Sequence, residues 1–436
     1  MNKEQCKLVL AGALGNVLEW YDFAVYGYFA AIIGMHFFPS DDPATSLIAS
    51  FGAFAAGYLV RPAGSVLFGH IGDRYGHKAA LTSSVMMMAV PTFCIGLLPD
   101  FQSIGFLAPI LLVALRMAQG ISVGGEYTTS ITFLAENAEV KRRGFFASFS
   151  SIGSTSGILL GSGSCALITL LLGADAVEAW GWRIPFLSGV AIGLIGLYLR
   201  RQLMDSAPPK QPPRFPLEEC LRDHWRELLR LGAVVVGIAL SFYLVFIYVA
   251  TWLQQVAHVT QSRALDINTF NMVVLVVMVP FAAMLSDRIG RRPVLIAGYG
   301  GIVLFSYPLF WLMHQGSTTA ILLGQLGFVL LIGTAGGALP ALLAEISPAR
   351  VRVTLMSLAY NVVLGIVGGT APMVAAYLVS RTGDDLSPAI YLAAGTLISL
   401  IAVIRLKETA GSDLNATGDP APPVKGRLKT GVPSIS

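Results

Sequence analysis

The sequence predicts an all-α membrane protein, with twelve transmembrane helices in two pseudo-symmetric six-helix bundles. Three observations predict it: long apolar runs with little charge, a one-sided distribution of Lys and Arg, and an internal duplication. Of 436 residues, 55% are hydrophobic and 12% charged, where soluble domains carry about 25% charged residues. Mean hydropathy is +0.69. Runs long enough to cross a bilayer lie at about 8–35, 46–69, 79–98, 105–135, 144–172 and 184–204. A second six lie at about 229–256, 268–286, 292–314, 319–345, 353–380 and 388–406.

Twelve spans place both termini on one side, and the segments on that side hold 24 of the 29 Lys and Arg residues. The opposite side holds Arg183, Arg263 and Arg381, while Arg61 and Arg116 fall inside spans. By the positive-inside rule both termini are cytoplasmic. The expected divisions are an N-terminal bundle at 1–200, a cytoplasmic linker at 201–228, a C-terminal bundle at 229–407 and a tail at 408–436. The linker is rich in proline (Pro208, Pro209, Pro212, Pro213, Pro216) and then basic. The tail is rich in Gly, Pro, Ser, Asp and Thr with no heptad pattern, and predicts disorder. Lys3 and Lys7 before an apolar run mimic a signal peptide, but Glu19 and Asp22 interrupt it and no small-residue cleavage site follows. It reads as an uncleaved first span.

Two internal echoes carry the duplication. Gly69–Lys78, between spans two and three, returns as Ala283–Arg292 at an offset of 214 (287 − 73). Ala135-Glu136 with Arg143 and Ser148 returns as Ala344-Glu345 with Arg352 and Ser357, at an offset of 209 (352 − 143). The loop residues Asp73 and Arg74, and their counterparts Asp287 and Arg288, suit helix caps or fixed ion pairs. With Glu136, Arg143, Glu345 and Arg352 they form the expected gate on the cytoplasmic side. Gly153, Gly157 and Gly161 in span five, and Gly120, Gly124 and Gly125 in span four, predict close helix packing. Pro62, Pro280, Pro340 and Pro372 mark expected kinks.

Charges inside spans cost about 2.5–3.5 kcal/mol each at a helix centre, so each needs a reason. Glu19, Asp22 and Tyr26 share one face of span one, Arg61 precedes Pro62 in span two, and Arg116 and Glu126 lie in span four. The functional reading is a proton site: Asp22 as carrier, Arg116 as the modulating charge, with Glu19 and Glu126 beside them. The alternative is structural ion pairs. Tyr26, Arg61, Glu126, Tyr243, Tyr248 and Asn361 form the expected substrate-binding set. Their aromatic members suit a cation–π cage, although Tyr243 and Tyr248, at i,i+5, do not share a helix face. No nucleophile–base pair or metal cluster is legible, with His70, His77 and His258 at loop positions and the four cysteines scattered. The expectation is therefore no enzyme, no metal and no cofactor beyond a coupling proton. The expected partners are a small molecule, protons and the lipid bilayer, with no nucleic acid.

These residues resemble the major facilitator superfamily. Gly69–Lys78 is similar to its signature loop, Ala283–Arg292 to the second copy, and Arg116-Met117-Ala118-Gln119-Gly120 to its span-four motif, whose arginine is associated with proton coupling. A closer resemblance, from about Leu10 to Arg405, is to the metabolite:proton symporter family. It rests on Gly15–Phe23, Arg61-Pro62-Ala63-Gly64, Gln119–Tyr127, Trp180–Phe186 and Leu285-Ser286-Asp287-Arg288. The run Ser122–Thr128 with Ser151–Gly163 is similar to the proline/betaine branch. The resemblance implies a proton-coupled importer in a bacterial inner membrane, functional as a monomer. Three intramembrane acids against two arginines favour a small zwitterionic osmolyte. An organic acid of the α-ketoglutarate, citrate or shikimate type is the alternative, followed by drug export.

Overall fold

The structure, a computed structural model, describes residues 16–17, 19–65, 67, 77–124, 126–201 and 216–414. It describes their side chains except at 77–82, 84, 85, 126, 192, 193, 195–201, 216 and 350. Twelve helical rods follow one another. The first six are α1 (residues 19–37, with one turn residue at Phe29), α2 (Pro43–Ser65), α3 (His77–Leu97), α4 (Leu107–Glu136, on either side of residue 125), α5 (Val140–Leu172) and α6 (Arg183–Arg201). The second six are α7 (Trp225–Gln255), α8 (Gln261–Ile289), α9 (Arg291–His314), α10 (Thr318–Ile346), α11 (Arg352–Thr382) and α12 (Ser387–Arg405). Among the described residues, nine helices are long and apolar enough to cross a membrane. Large apolar side chains on the outer faces, such as Phe106, Leu170 and Leu304, are exposed as lipid contact requires.

Local chemistry sets the helix ends. Asp42 starts α2 by accepting from the backbone N–H of Ala44 and Thr45 at 3.1 and 3.2 Å, with Pro43 at the first helical position. The Thr45 hydroxyl and the Ala44 N–H hold its carboxyl below the usual carboxylate range. Gly290, at φ +105°, lets α8 turn into α9 across one residue, a conformation that L side chains resist. α8 begins at Gln261, earlier than the apolar run at 268, and its first turns bury Ala264, Leu265 and Ile267 in the bundle.

Small residues set the packing. A Cβ on Gly120 of α4 would strike the Gly57 carbonyl of α2, and one on Gly64 would strike Ile121, so α2 and α4 touch backbone to backbone. Gly157 and Gly161 do the same for α5 against Val17, Tyr21 and Ala24 of α1. Between the halves, α2 packs on α11 and α5 on α8, one contact repeated by the pseudo-two-fold. α4 adds a contact to α11, and α5 one to α10.

Three expectations gain detail. Pro280 and Pro340 lie inside helices that run on through them, and widened π turns fall at Tyr243–Tyr248 in α7 and Leu364–Gly368 in α11. The second follows from Pro372, which has no N–H to give the Gly368 carbonyl. Pro62 does interrupt α2, which turns at Val60 before resuming. Within the expected linker, Pro216–Asp223 is a helix that seats Cys220 in the core and rests against α7 and α11. Burial pushes the Cys220 thiol up to about 11. Finally, residues 408–414 of the expected disordered tail are held against the bundle, by contacts described below.

Candidate functional site

The intramembrane charges resolve into two buried ion pairs. Arg116 of α4 donates from Nη1 to Asp22 Oδ2 at 2.8 Å and to Gln119 Oε1 at 2.7 Å, and Gln119 Nε2 donates to Thr92 Oγ1 of α3 at 2.8 Å. The rings of Tyr26 and Phe23 stack against its guanidinium at 4.3 and 4.7 Å. Among the described residues, the hydrogen-bond and ring partners of this pair all belong to the N-terminal half. Tyr26, read as a substrate residue, belongs here instead, and its hydroxyl donates to the Ser50 carbonyl at 3.0 Å.

The second pair bridges the halves. Arg61 of α2 donates from Nη2 to Glu19 Oε1 at 2.8 Å and from Nε to Asn361 Oδ1 of α11 at 3.1 Å. Asn361 returns its amide to the Gly124 carbonyl of α4 at 2.8 Å. Asp22, Glu19, Arg61, Arg116 and Asn361 are each at most 4% exposed, so each charge is compensated where it stands. The side chain of Glu126 lies outside the described residues.

A cavity of ≈ 60 Å³ opens between the halves beside the Glu19–Arg61 pair, room for several waters. Trp20, Tyr127, Phe242, Tyr243 and Tyr360 form its aromatic wall, and Ser151, Ser154 and Thr155 of α5 its polar one. Tyr127 stacks on Tyr360 at 4.7 Å, and Tyr243 meets Trp20 at 6.3 Å. Of the expected substrate set, Tyr243 lines this cavity, while Arg61 and Asn361 stand behind its wall. Tyr248 does not reach it. It lies five residues on, across the π turn, and packs on Phe51 at 6.1 Å. Trp20, Tyr127 and Tyr360 were missing from that set, although Trp20 and Tyr127 lie inside the motifs around the intramembrane acids.

At the end carrying the basic loops, the repeats cross-pair. Arg143 of α5 reaches Glu345 of α10 at 3.2 Å, and Arg352 of α11 reaches Glu136 of α4 at 2.7 Å. Each repeat's arginine holds the other repeat's glutamate. Asp287 of α8 accepts from the first N–H groups of α5, Gly144 at 2.8 Å and Phe145 at 2.9 Å, where the helix dipole favours an anion. The expected partner Arg288 is exposed instead. Arg291, one helical turn from Asp287, takes its place at 2.7 Å and also binds Glu345 at 3.1 Å. The i,i+4 spacing across Gly290 was the available signal. Asp73 and Arg74 lie outside the described residues.

Residues 408–414 strap this network. Glu408 accepts from the backbone N–H of Arg291 and Arg292 at 2.8 and 3.1 Å, and Thr409 Oγ1 donates to Glu345 at 2.7 Å. Arg143 donates to the Ser412 carbonyl at 3.0 Å and Arg352 to that of Leu414. Burial works to raise the Glu408 carboxyl, but four backbone N–H donors outweigh it and hold it below the usual range. Its contribution is therefore full above the unfolded value and lost as pH falls through the depressed one. Glu408→Ala is expected to free the strap at neutral pH. Amide exchange at 408–414 would rise by about 10-fold or more, as losing charge-assisted bonds implies. Unchanged exchange would refute the cap.

The halves also meet on the opposite side of the cavity, where Asn268 of α8 donates to the Tyr28 hydroxyl of α1 at 2.7 Å and Ser162 and Thr269 share a hydrogen bond at 2.6 Å. Contacts between the halves toward both ends, with a cavity between them, describe a transporter-like body. The sequence profile of the Major Facilitator Superfamily matches residues 12–372, and again 266–430. The chain belongs to the Major Facilitator Superfamily. This superfamily member is 35% identical over 423 residues to the glycine betaine/proline/ectoine/pipecolic acid transporter OusA of Dickeya dadantii, covering 94% of this chain and 84% of that one. It is 34% identical to the proline/betaine transporter of Escherichia coli K12, with the same coverage. It is 38% identical to a putative proline/betaine transporter of Staphylococcus aureus strain COL, covering 95% and 91%. The transporter's fold matches the partially occluded inward open xylose transporter XylE of E. coli, with TM-score 0.73 at 21% identity over 94% and 99% of the chains. It matches the proton:xylose symporter XylE bound to 6-bromo-6-deoxy-D-glucose with TM-score 0.70.

Proposed function

We propose that this transporter takes up a small zwitterionic osmolyte of the proline or betaine kind together with a proton. It acts as a monomer in a bacterial inner membrane with both termini cytoplasmic. The observation that carries the reading is the aromatic cavity between the two halves, with an ion pair of zero net charge behind its wall. Aromatic faces attract an ammonium, and a neutral surround does not draw a multiply charged acid. The relatives named for betaine and proline support the same class.

Asp22 carries the proton on this reading, and Arg116 sets its affinity. A neutral Asp22 releases the guanidinium, and a charged one recaptures it. The cross-paired arginines and glutamates are the cytoplasmic gate. The test is counterflow in proteoliposomes of labelled betaine, proline, α-ketoglutarate, citrate and shikimate, with and without a pH gradient. Betaine or proline should accumulate with an inward proton gradient, and a protonophore should abolish the accumulation. Uptake insensitive to the protonophore would sink the symport reading, and uptake of the organic acids alone would sink the osmolyte reading.

A further inference from the structure

Of the two ion pairs, Glu19–Arg61 is the one that joins the two halves, and it stands directly behind the cavity wall at Trp20. Arg61 is 1% exposed. Its Nε faces Asn361 and its Nη2 faces Glu19, while its Nη1 has no hydrogen-bond partner among the described residues. A buried guanidinium donor left unmade is unfavourable unless something else supplies its acceptor. Arg116 also has nitrogens without hydrogen bonds, but it is enclosed by Asp22, Gln119 and the rings of Tyr26, Phe23 and Phe54. Arg61 instead lies 5.9 Å from the ring of Trp20, a cavity wall, and 5.1 Å from Tyr58. Two further cavity residues, Tyr243 and Tyr360, are within its electrostatic reach, as Tyr127 and Tyr360 are within that of Glu19.

We infer that the Glu19–Arg61 pair is the zwitterion receptor, opened by a substrate that inserts between the two side chains. The substrate carboxylate takes the Nη1–Nη2 edge of Arg61, and its cationic nitrogen lies toward Glu19 among the rings of Trp20 and Tyr243. This rests on the uptake reading above and sharpens it to a charge class. An anion inserted here would satisfy Arg61 but part Glu19 from the guanidinium that faces it. A cation would do the reverse. A zwitterion replaces one ion pair by two and keeps the site neutral, with a bidentate contact at one pole and ring faces at the other. No proton is needed at this pair, which leaves coupling to Asp22. Because Arg61 also holds Asn361 of α11, insertion is felt where the two halves meet.

The experiment uses three probes of nearly one shape: glycine betaine, its carbon isostere 3,3-dimethylbutanoate (an anion) and choline (a cation). Binding to the purified full chain is read by tryptophan fluorescence, and uptake in proteoliposomes. Wild type should bind betaine and reject both others. Glu19→Gln should shift the betaine-to-dimethylbutanoate preference toward the anion by about 10- to 100-fold, and Arg61→Gln should shift the preference toward choline by a similar factor. Because Arg61→Gln takes the facing guanidinium from the buried Glu19 carboxylate and is at risk of misfolding, E19Q/R61Q provides a second variant without either charge. It should lose betaine by about 100-fold while eluting as a folded monomer. Wild-type betaine affinity in the double variant, or unchanged charge preference in folded single variants, overturns the inference and leaves the uptake reading standing. A wild type that transports no zwitterion at all overturns both.

Discussion

Asp22→Asn is expected to abolish uphill uptake while leaving exchange of substrate down its own gradient intact. Asp22 is 2% exposed, and Arg116 Nη1 stands 2.8 Å away. Protonation neutralises Asp22 and leaves Arg116 to Gln119 and the ring faces, a change that in a buried site is worth about 3–5 kcal/mol. The amide introduced by Asp22→Asn imitates the protonated carboxyl in shape and charge, so the variant cycles as though permanently loaded and no longer senses the proton gradient. Each pH unit across the membrane is worth about 1.4 kcal/mol, tenfold in accumulation for one proton per substrate. With a gradient of two units, the variant should therefore lose about 100-fold of accumulation while counterflow continues. Accumulation ratios and counterflow in the same proteoliposomes check this. An Asp22→Asn transporter that still concentrates substrate places the proton elsewhere. A variant silent in both assays shows that the pair is structural.

The charge pairs between the halves were legible because the chain states them twice. Glu136 with Arg143 and Glu345 with Arg352 share one offset, and two halves related by a two-fold axis must bring such copies face to face. That Arg143 meets Glu345 instead of Glu136 is a tertiary fact, because each echo alone is equally consistent with pairing inside its own repeat. The intramembrane charges were likewise legible as a set, since a lone charge in a span demands compensation. Their division into Asp22–Arg116 and Glu19–Arg61 depends on how α2 and α4 sit beside α1, which the Gly57–Gly120 contact decides. Aromatics were the least legible class. Tyr26 and Tyr248 look like Tyr243 in the sequence, yet Tyr26 caps an arginine, Tyr248 packs on Phe51, and the π turn in α7 alters the rotation between Tyr243 and Tyr248. The strap at 408–414 escaped because composition registers its polarity as disorder. Its polar atoms are spent on the gate: Glu408 on a helix N-terminus, Thr409 on Glu345, and two carbonyls on arginines.

Loss of Glu345 should open the basic end of the transporter, and much more so than loss of its symmetry mate Glu136. Glu345 is 1% exposed and receives Arg143 at 3.2 Å, Arg291 at 3.1 Å and Thr409 at 2.7 Å. Arg143 and Arg291 are 3% and 1% exposed, so Glu345→Ala takes a carboxylate from two buried cations, leaving Arg291 with Asp287 and Arg143 with the Ser412 carbonyl. Breaking a buried pair from one side costs about 3–5 kcal/mol, and the arginines recover their solvation when the halves part. The closed state should thus lose about 100-fold or more in population against the state open at that end. The Glu136 side chain is 48% exposed, so water screens its end of the pair, and Arg352, itself 3% exposed, keeps the Ala344 and Leu414 carbonyls, which holds the loss to about 1 kcal/mol. The readout is a reporter Thr132→Cys in a background free of native cysteines. Thr132 of α4 is buried between the halves, 3.8 Å from the Met356 sulfur of α11. A membrane-impermeant maleimide applied from the basic side should label the reporter about 100-fold faster in Glu345→Ala than in its parent, and at most about 5-fold faster in Glu136→Ala. Equal rates in the two variants would mean that the gate is held by the Asp287 cap and the packing beneath it, and that the buried charges merely occupy it.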